Sequence, residues 1–448
     1  MPHHPLRPLV RILLSALLPM LLAACGLTDF LGESDEGPPL PGERISILTV
    51  DRGVRPDPEL ADVEVKLPRP YRNTDWSQPG GTATHAMYHL ELRDTPSLAW
   101  TADVGDGSDD DARILTQPVV VDGVVYTMDA FGLVSAFDAA SGRLIWSVDL
   151  AADEEDEGFF GGGVSYEAGR LFVSTGFAKI FGLDAGSGEV LWERRVPGPM
   201  RNGPTVYDGR VYALSVDNQV QALGAEDGRL LWNNVGVEEV ANVLGAASPA
   251  ANDAVALIPY STGELLAIDV QSGRVIWSES LAALTRLDPL ADIPQIRGLP
   301  VIDRDAAFAV SHSGRMMAVE LRRGVRLWEV DIGGIETPWV AGEFIFVLTS
   351  DSQLVAVRRQ DGRIKWVTLL PRFEDEEDEE GFIQWMGPVL AGDRLIVAGT
   401  NGEALSISPY DGELLGFIDL PGPIAVPPVV ADGTLYLVTA DAELLALR

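Results

Sequence analysis

One short phrase recurs along this chain and limits what it can fold into. Its first full copy is Ala136-Phe137-Asp138-Ala139-Ala140-Ser141-Gly142-Arg143-Leu144-Ile145-Trp146. It reads as a strand, a tight Gly turn and a second strand ending in Trp. The phrase returns to end at Trp192, Trp232, Trp277, Trp328 and Trp366. A last copy ends at Gly416, where the Trp is gone, and Trp100 ends a unit whose beginning is missing. Successive ends lie 46, 46, 40, 45, 51, 38 and 50 residues apart. Helical periodicity of useful length is absent, so the chain reads as all-β.

One unit can be parsed strand by strand. Pro118–Val121, Val124–Met128, Val134–Phe137 and Leu144–Val148 are four strands. They are separated by turns at Asp122-Gly123, Phe131-Gly132 and Ser141-Gly142. Gly in each turn supplies the positive φ that short hairpins need. A four-stranded unit repeating near every 45 residues is a propeller blade. Seven complete units follow Trp100. An eighth has three strands, at 426–430, 435–438 and 444–447, and lacks the fourth. The orphan strand Leu98-Ala99-Trp100-Thr101 fits that vacancy. The expectation is an eight-bladed β-propeller of four-stranded antiparallel blades, its ring closed by an N-terminal strand completing the C-terminal blade. Closure removes both free ends of the array. The Trp at the same place in each outer strand is expected to fill the wedge between blades that splay with radius.

At 448 residues the chain exceeds an ordinary single core, but a repeat array escapes that limit because each unit packs mainly on its neighbours. Net charge is −34. Such a surface repels phosphate backbones, so nucleic acid is excluded as a partner class. The single cysteine, Cys25, permits neither an internal disulfide nor a Cys-based metal cluster.

The first residues read as an export signal. Arg7 and Arg11 precede an apolar run, Ile12 to Ala24, too short to span a bilayer comfortably. The run ends Leu22-Ala23-Ala24-Cys25, which resembles the bacterial lipobox. That resemblance implies cleavage before Cys25 and a lipid on its thiol; the alternative is an ordinary Ala-x-Ala cleavage beside an incidental Cys. In the lipoproteins it resembles, Asp after the Cys favours retention in the inner membrane, so Gly26 at that place implies the outer membrane. Each buried methylene of an acyl chain contributes roughly 0.8 kcal/mol, so two or more chains anchor stably without a transmembrane helix. The expected organisation is a lipoprotein signal peptide at 1–24, a flexible tether at 25–43, an extended segment packing on the propeller at 44–95, and the propeller at 96–448.

Two features of the chain lie outside the repeat. Ile45–Val50 alternates like a strand, and Tyr71–Gly81 is turn-rich around Trp76. His85 and His89 are four apart, a zinc pair if helical, with no third ligand in sight. The plainer reading is a short surface helix or loop. Acidic runs at Asp153–Glu157 and Glu374–Glu380 each follow a blade Trp by a few residues and precede Gly-Phe. They read as solvated mobile loops, as a Ca²⁺ site, or as docking elements for a basic surface.

The phrase of Gly, apolar residues and Trp, preceded by Ala-hydrophobic-Asp, resembles the pyrroloquinoline-quinone enzyme repeat over roughly residues 71–448. Two branches share it, the quinoprotein alcohol dehydrogenases and the outer-membrane assembly lipoproteins of the BamB type. The dehydrogenase branch implies a vicinal Cys pair and a bound Ca²⁺, and this chain has no Cys pair. The BamB type implies a lipobox, a tether and an eight-bladed propeller, with no cofactor and no enzymatic activity. The Asn73–Trp76 to Gly80-Gly81 lead-in is similar to alphaproteobacterial members. The resemblance further implies a periplasm-facing outer-membrane scaffold. Its partners would be the POTRA domains of BamA, other assembly-complex subunits and unfolded outer-membrane proteins. The loop that matches the family's partner-binding loop holds Leu284, Arg286, Leu287, Asp288 and Asp292. Exposed Leu beside Arg and Asp is an interface composition, or else these leucines tuck beneath the loop. A quinoprotein-like dehydrogenase or a ligand-binding propeller is the alternative function.

Overall fold

The computed structural model describes residues 54–108, 112–151, 161–239, 244–282 and 294–448. These residues form eight four-stranded antiparallel sheets, the blades of a propeller, plus one two-stranded hairpin. Blades 1 to 7 span 119–149, 162–195, 205–235, 250–280, 301–330, 339–369 and 385–419. Blade 8 takes three strands from 429–447 and its outermost strand from Leu98–Asp103. The closing pair is antiparallel, with Trp100 opposite Ala446 and Asp103 opposite Glu443. Among the described residues helix is confined to a single turn, Pro58–Leu60, and no helix is long and apolar enough to cross a membrane.

The recurrent Trp works as a hook. Its indole N–H donates to a backbone carbonyl in the turn between the third and fourth strands of the next blade. The bonds run from Trp100 to Ala139, Trp146 to Ala185, Trp192 to Ala225 and Trp232 to Val270. They continue from Trp277 to Leu321, Trp328 to Arg359 and Trp366 to Pro409, all between 2.7 and 3.1 Å. The ring lies against the Gly of that same turn. A Cβ built on Gly142, Gly188 or Gly324 would sit 2.5–2.7 Å from the indole of Trp100, Trp146 or Trp277. The turn glycine therefore has two duties: positive φ, and clearance for the neighbour's Trp. Within its own blade each Trp stands opposite a small residue, such as Ala222 for Trp232 and Gly182 for Trp192. That lets the indole reach the aromatic ring on the second strand, as in Trp232 with Tyr212 at 5.8 Å between centroids.

This geometry explains the missing Trp. Blade 8 has no turn between its third and fourth strands, because the third is Glu443–Leu447 and the fourth is Leu98–Asp103. A Trp in blade 7 would find no carbonyl and no glycine to rest on. Gly416 stands there instead, and nothing lies within 4 Å of a Cβ built on it.

Residues 73–90 run round the inner mouth and meet the innermost strand, or the turn directly after it, of all eight blades in turn. Asn73 bonds Val430 and Asp432 of blade 8. Trp76 makes a two-way backbone bridge with Val120 of blade 1. Ser77, Gln78, Ala83 and Thr84 accept from Tyr166, Val206, Ala251 and Ile302 of blades 2 to 5. The Tyr88 carbonyl accepts from the Trp339 indole of blade 6 at 2.6 Å, and Leu90 bridges Leu390 and Gly392 of blade 7. Innermost strands present unpaired backbone groups toward the axis, and this segment supplies their partners. An Asp303–Arg359 ion pair, into which the Tyr88 hydroxyl donates, locks the segment to blades 5 and 6.

Replacing Trp232 by Ala is expected to cost about 3–5 kcal/mol, read by chemical or thermal unfolding. Gly416→Trp is expected to leave the melting temperature unchanged or lower it, and an increase would overturn the hook account.

Candidate functional site

Antiparallel alternation places every loop from an outermost strand to the next innermost strand on one end of the ring. The turns within blades between first and second, and between third and fourth strands, lie on the other. The inner-mouth segment pairs near the second end. The interblade loops therefore make up the rim on which sequence reasoning placed its candidates.

Leu284, Arg286, Leu287, Asp288 and Asp292 lie outside the described residues, as do Cys25, the Ile45–Val50 run and the Asp153–Glu157 run. The residues on either side of 283–293 are described. Leu281 is fully buried, its N–H donates to the Gly263 carbonyl and its carbonyl accepts from Ser311. Ile296 packs in the same cluster as Leu281, between blades 4 and 5. The second acidic run is not a structureless loop. Phe373–Asp375 and Glu380–Phe382 pair as a hairpin between blades 6 and 7. Its turn is organised by Asp375, whose carboxylate accepts from the N–H groups of Glu377 and Asp378. Glu376 accepts from Arg372 N–H, and Phe373 meets Phe382 edge to face at 6.0 Å. All seven acidic side chains are exposed.

The histidine pair does not form. His85 and His89 are buried in irregular backbone, not on a surface helix, and each is engaged separately. His85 Nδ1 bonds the Pro300 carbonyl at 2.7 Å. His89 Nδ1 bonds the Pro68 carbonyl, and its Nε2 accepts from Asp393 N–H. Among the described residues no three His, Cys, Asp or Glu side chains are grouped to hold a metal ion.

Sequence reasoning passed over the axis. The inner-mouth segment and the lead-ins to the innermost strands enclose a cavity of about 110 Å³ of free space, room for several waters. Trp76 and Trp339 stack at 6.4 Å on its wall. Its charged groups are Arg297 and Glu336, paired at 3.3 Å. Burial pushes the Glu336 carboxyl up, against the opposing pull of Arg297 and the Gly387 N–H. These residues do not make the quinoprotein clamp: a single-cysteine chain has no Cys pair, and Arg297 and Glu336 already satisfy each other. A signal for the cavity was present in the sequence. In six blades a Pro immediately precedes the innermost strand, in blade 7 Pro388 lies within it, and the residue before each Pro lines the axis, as with Gln117-Pro118, Leu299-Pro300 and Thr337-Pro338.

With this geometry in hand, comparison with known proteins identifies the family. The profile described as Outer membrane protein assembly factor BamB matches residues 93–155, 130–368 and 376–448. The chain belongs to that family. Outer membrane protein assembly factor BamB of Escherichia coli (strain K12) is 27% identical over 370 residues, covering 80% of this chain and 90% of that one. The protein of the same name from Yersinia pestis is 25% identical over 367 residues, covering 78% and 90%. Among solved structures, BamB from Moraxella catarrhalis superposes with a TM-score of 0.66 at 17% identity, covering 79% of this chain and all of that one. Quinohemoprotein alcohol dehydrogenase from Comamonas testosteroni gives 0.64 at 13% identity, covering 84% and 81%. At such identities both likenesses show the fold alone. Family membership comes from the profile.

Two measurements test the site. Burial holds the His85 imidazole down at about 4, below its usual 6.5, so the folded state keeps it neutral while the unfolded chain takes up a proton. That contribution to stability is whole above pH 6.5 and is lost as the pH falls through 4, on the order of 3 kcal/mol. Wild type should therefore lose more stability on acidification than His85→Gln, and parallel pH profiles would contradict this. Neutralising Glu374–Glu380 to Gln and Asn should move the melting temperature by no more than about 2 °C, because exposed charges contribute little. Calcium-dependent stabilisation of the unmodified hairpin would instead favour a metal role.

Proposed function

We propose that this chain is a non-enzymatic scaffold of the β-barrel assembly machinery, anchored in the outer membrane by lipid on Cys25 and facing the periplasm. It binds the POTRA domains of BamA, works with other subunits of the complex, and assists insertion of outer-membrane β-barrel proteins. The observation that carries this reading is family membership across the repeat array, and the resemblance of Leu22-Ala23-Ala24-Cys25 to a lipobox supports the anchor. The interblade rim supports it physically. That rim carries a hairpin that projects seven carboxylates, a suitable contact for a basic patch. The axial cavity is walled off on one side by the inner-mouth segment, and its ion pair is internally satisfied, so the rim is the stronger candidate surface.

The test is recovery of partners from native membranes. The lipidated protein is expected to bring down BamA, and Arg286→Ala with Leu287→Ala should reduce that recovery about tenfold, as for loss of interface anchors. Cys25→Ser should shift the protein out of the membrane fraction. Absence of BamA from the wild-type preparation, or a quinone absorbance band with dye-linked oxidation, would replace the scaffold by the dehydrogenase reading.

A further inference from the structure

The outermost strands of a propeller are edges, and this protein guards seven of its eight. The position that follows the recurrent Trp is polar in six blades: Ser147, Glu193, Asn233, Ser278, Glu329 and Thr101. Polar side chains at the centre of an edge strand discourage another chain from pairing there. In blade 6 the residue is Val367, which joins Val54 against one core cluster, and Asp57 N–H bonds the Ile364 carbonyl, so the chain's own N-terminal segment covers that edge. In blade 7 the residue is Phe417, 59% exposed, with Leu414 at 59% and Leu415 at 55% beside it. No fifth strand covers it among the described residues.

The backbone there is available. Leu420 N–H bonds the Gly402 carbonyl, and Ile418 and Gly416 pair in register with Ala404 and Ser406 of the third strand. Alternation then turns the N–H and C=O groups of Phe417 and Asp419 outward. Leu415, Phe417 and Asp419 share one face. The apolar centre is bracketed by exposed acids, Asp411 and Glu413 before it and Asp419 after it. A second copy of this chain is a poor occupant. Antiparallel self-pairing would set Glu413 near the partner copy's Asp419, on molecules that each carry −34.

We propose that the outer edge of blade 7 is a strand-docking site. Its occupant is an extended segment with alternating apolar side chains and Lys or Arg at both ends. The source is a strand of an unfolded β-barrel membrane protein, and for that source alone the proposal rests on the scaffold reading. The backbone supplies affinity by sheet extension, Leu415 and Phe417 select apolar side chains, and the bracketing acids select basic flanks.

The probe is a labelled peptide of about ten residues, the length of one barrel strand, alternating Val and Thr with Lys at both ends. Binding to the full protein is read by fluorescence anisotropy. Wild type should bind it, and Phe417→Lys should weaken binding at least about tenfold, or 1.4 kcal/mol. Phe417→Ser, which installs the residue of blades 1 and 4, should do the same with an unchanged melting temperature. A peptide with a central Pro should not bind, and glutamate-flanked peptide should bind more weakly than the lysine form. Failure of wild type to bind, equal binding by either Phe417 variant or by the Pro peptide, or self-association through this edge in sedimentation would overturn the proposal. Unchanged recovery of BamA by Phe417→Lys separates this outcome from failure of the scaffold reading itself.

Discussion

The indole that reaches from one blade onto the glycine turn of the next is the contact on which this ring depends. It does three things at once: it buries on the order of 200 Å² of aromatic surface, satisfies its own N–H, and fixes the distance between blades. Each partner is chosen for it. The turn must be Gly to clear the ring, the facing residue must be small, and the second strand offers an aromatic or, in blade 4, Leu257. The pattern fails only between blades 7 and 8, because the hook needs a continuous hairpin to catch and the outermost strand of blade 8 comes from Leu98–Asp103. Blade 8 itself and its seam with blade 1, where the Trp100 hook is present, gain further bonds. The closing strand pairs with 443–447, and the guanidinium of Arg448 donates to the carbonyls of Ala139 and Ala140 in blade 1.

A propeller has two sets of edges, and the protein treats them differently. The inner edges are taken up by eighteen residues, 73–90, that visit the blades in ring order. This makes one end of the axis a built wall and leaves the interblade loops as the varied end. The acidic hairpin belongs to that end, while the outer edges carry polar guards or chain cover except in blade 7. Function in such a ring resides in what departs from the repeat, since the repeat itself is occupied in holding the ring together.

Much of this was legible before any coordinates. The blade count follows from period and the orphan strand, since four strands and three turns recur with little variation. The role of Trp as a plug between blades also follows from its recurrence at one place in seven of the eight outer strands. The inner-mouth segment was not legible as such. Its residues carry no periodicity, because each meets a different blade through backbone groups that any residue supplies. The histidine spacing misled for the same reason: four residues apart means one face only on a helix, and here the backbone turns at His85 with φ of 60°. The acidic run read as a solvated mobile loop from composition, and its side chains are solvent-exposed, yet Asp375 caps a turn and two phenylalanines close a hairpin.

The sequence by itself determined the number of blades, the strand that closes the ring, and the side chain that spaces the sheets, because these are local patterns repeated until they become unambiguous. Only the tertiary structure decided which groups share the axis, which edge stays open, and why one copy lacks its Trp. Those outcomes depend on pairings between residues hundreds of positions apart, such as Asn73 with Val430 or Tyr88 with Asp303. No local pattern encodes such pairings, because their partners meet only after the ring has closed.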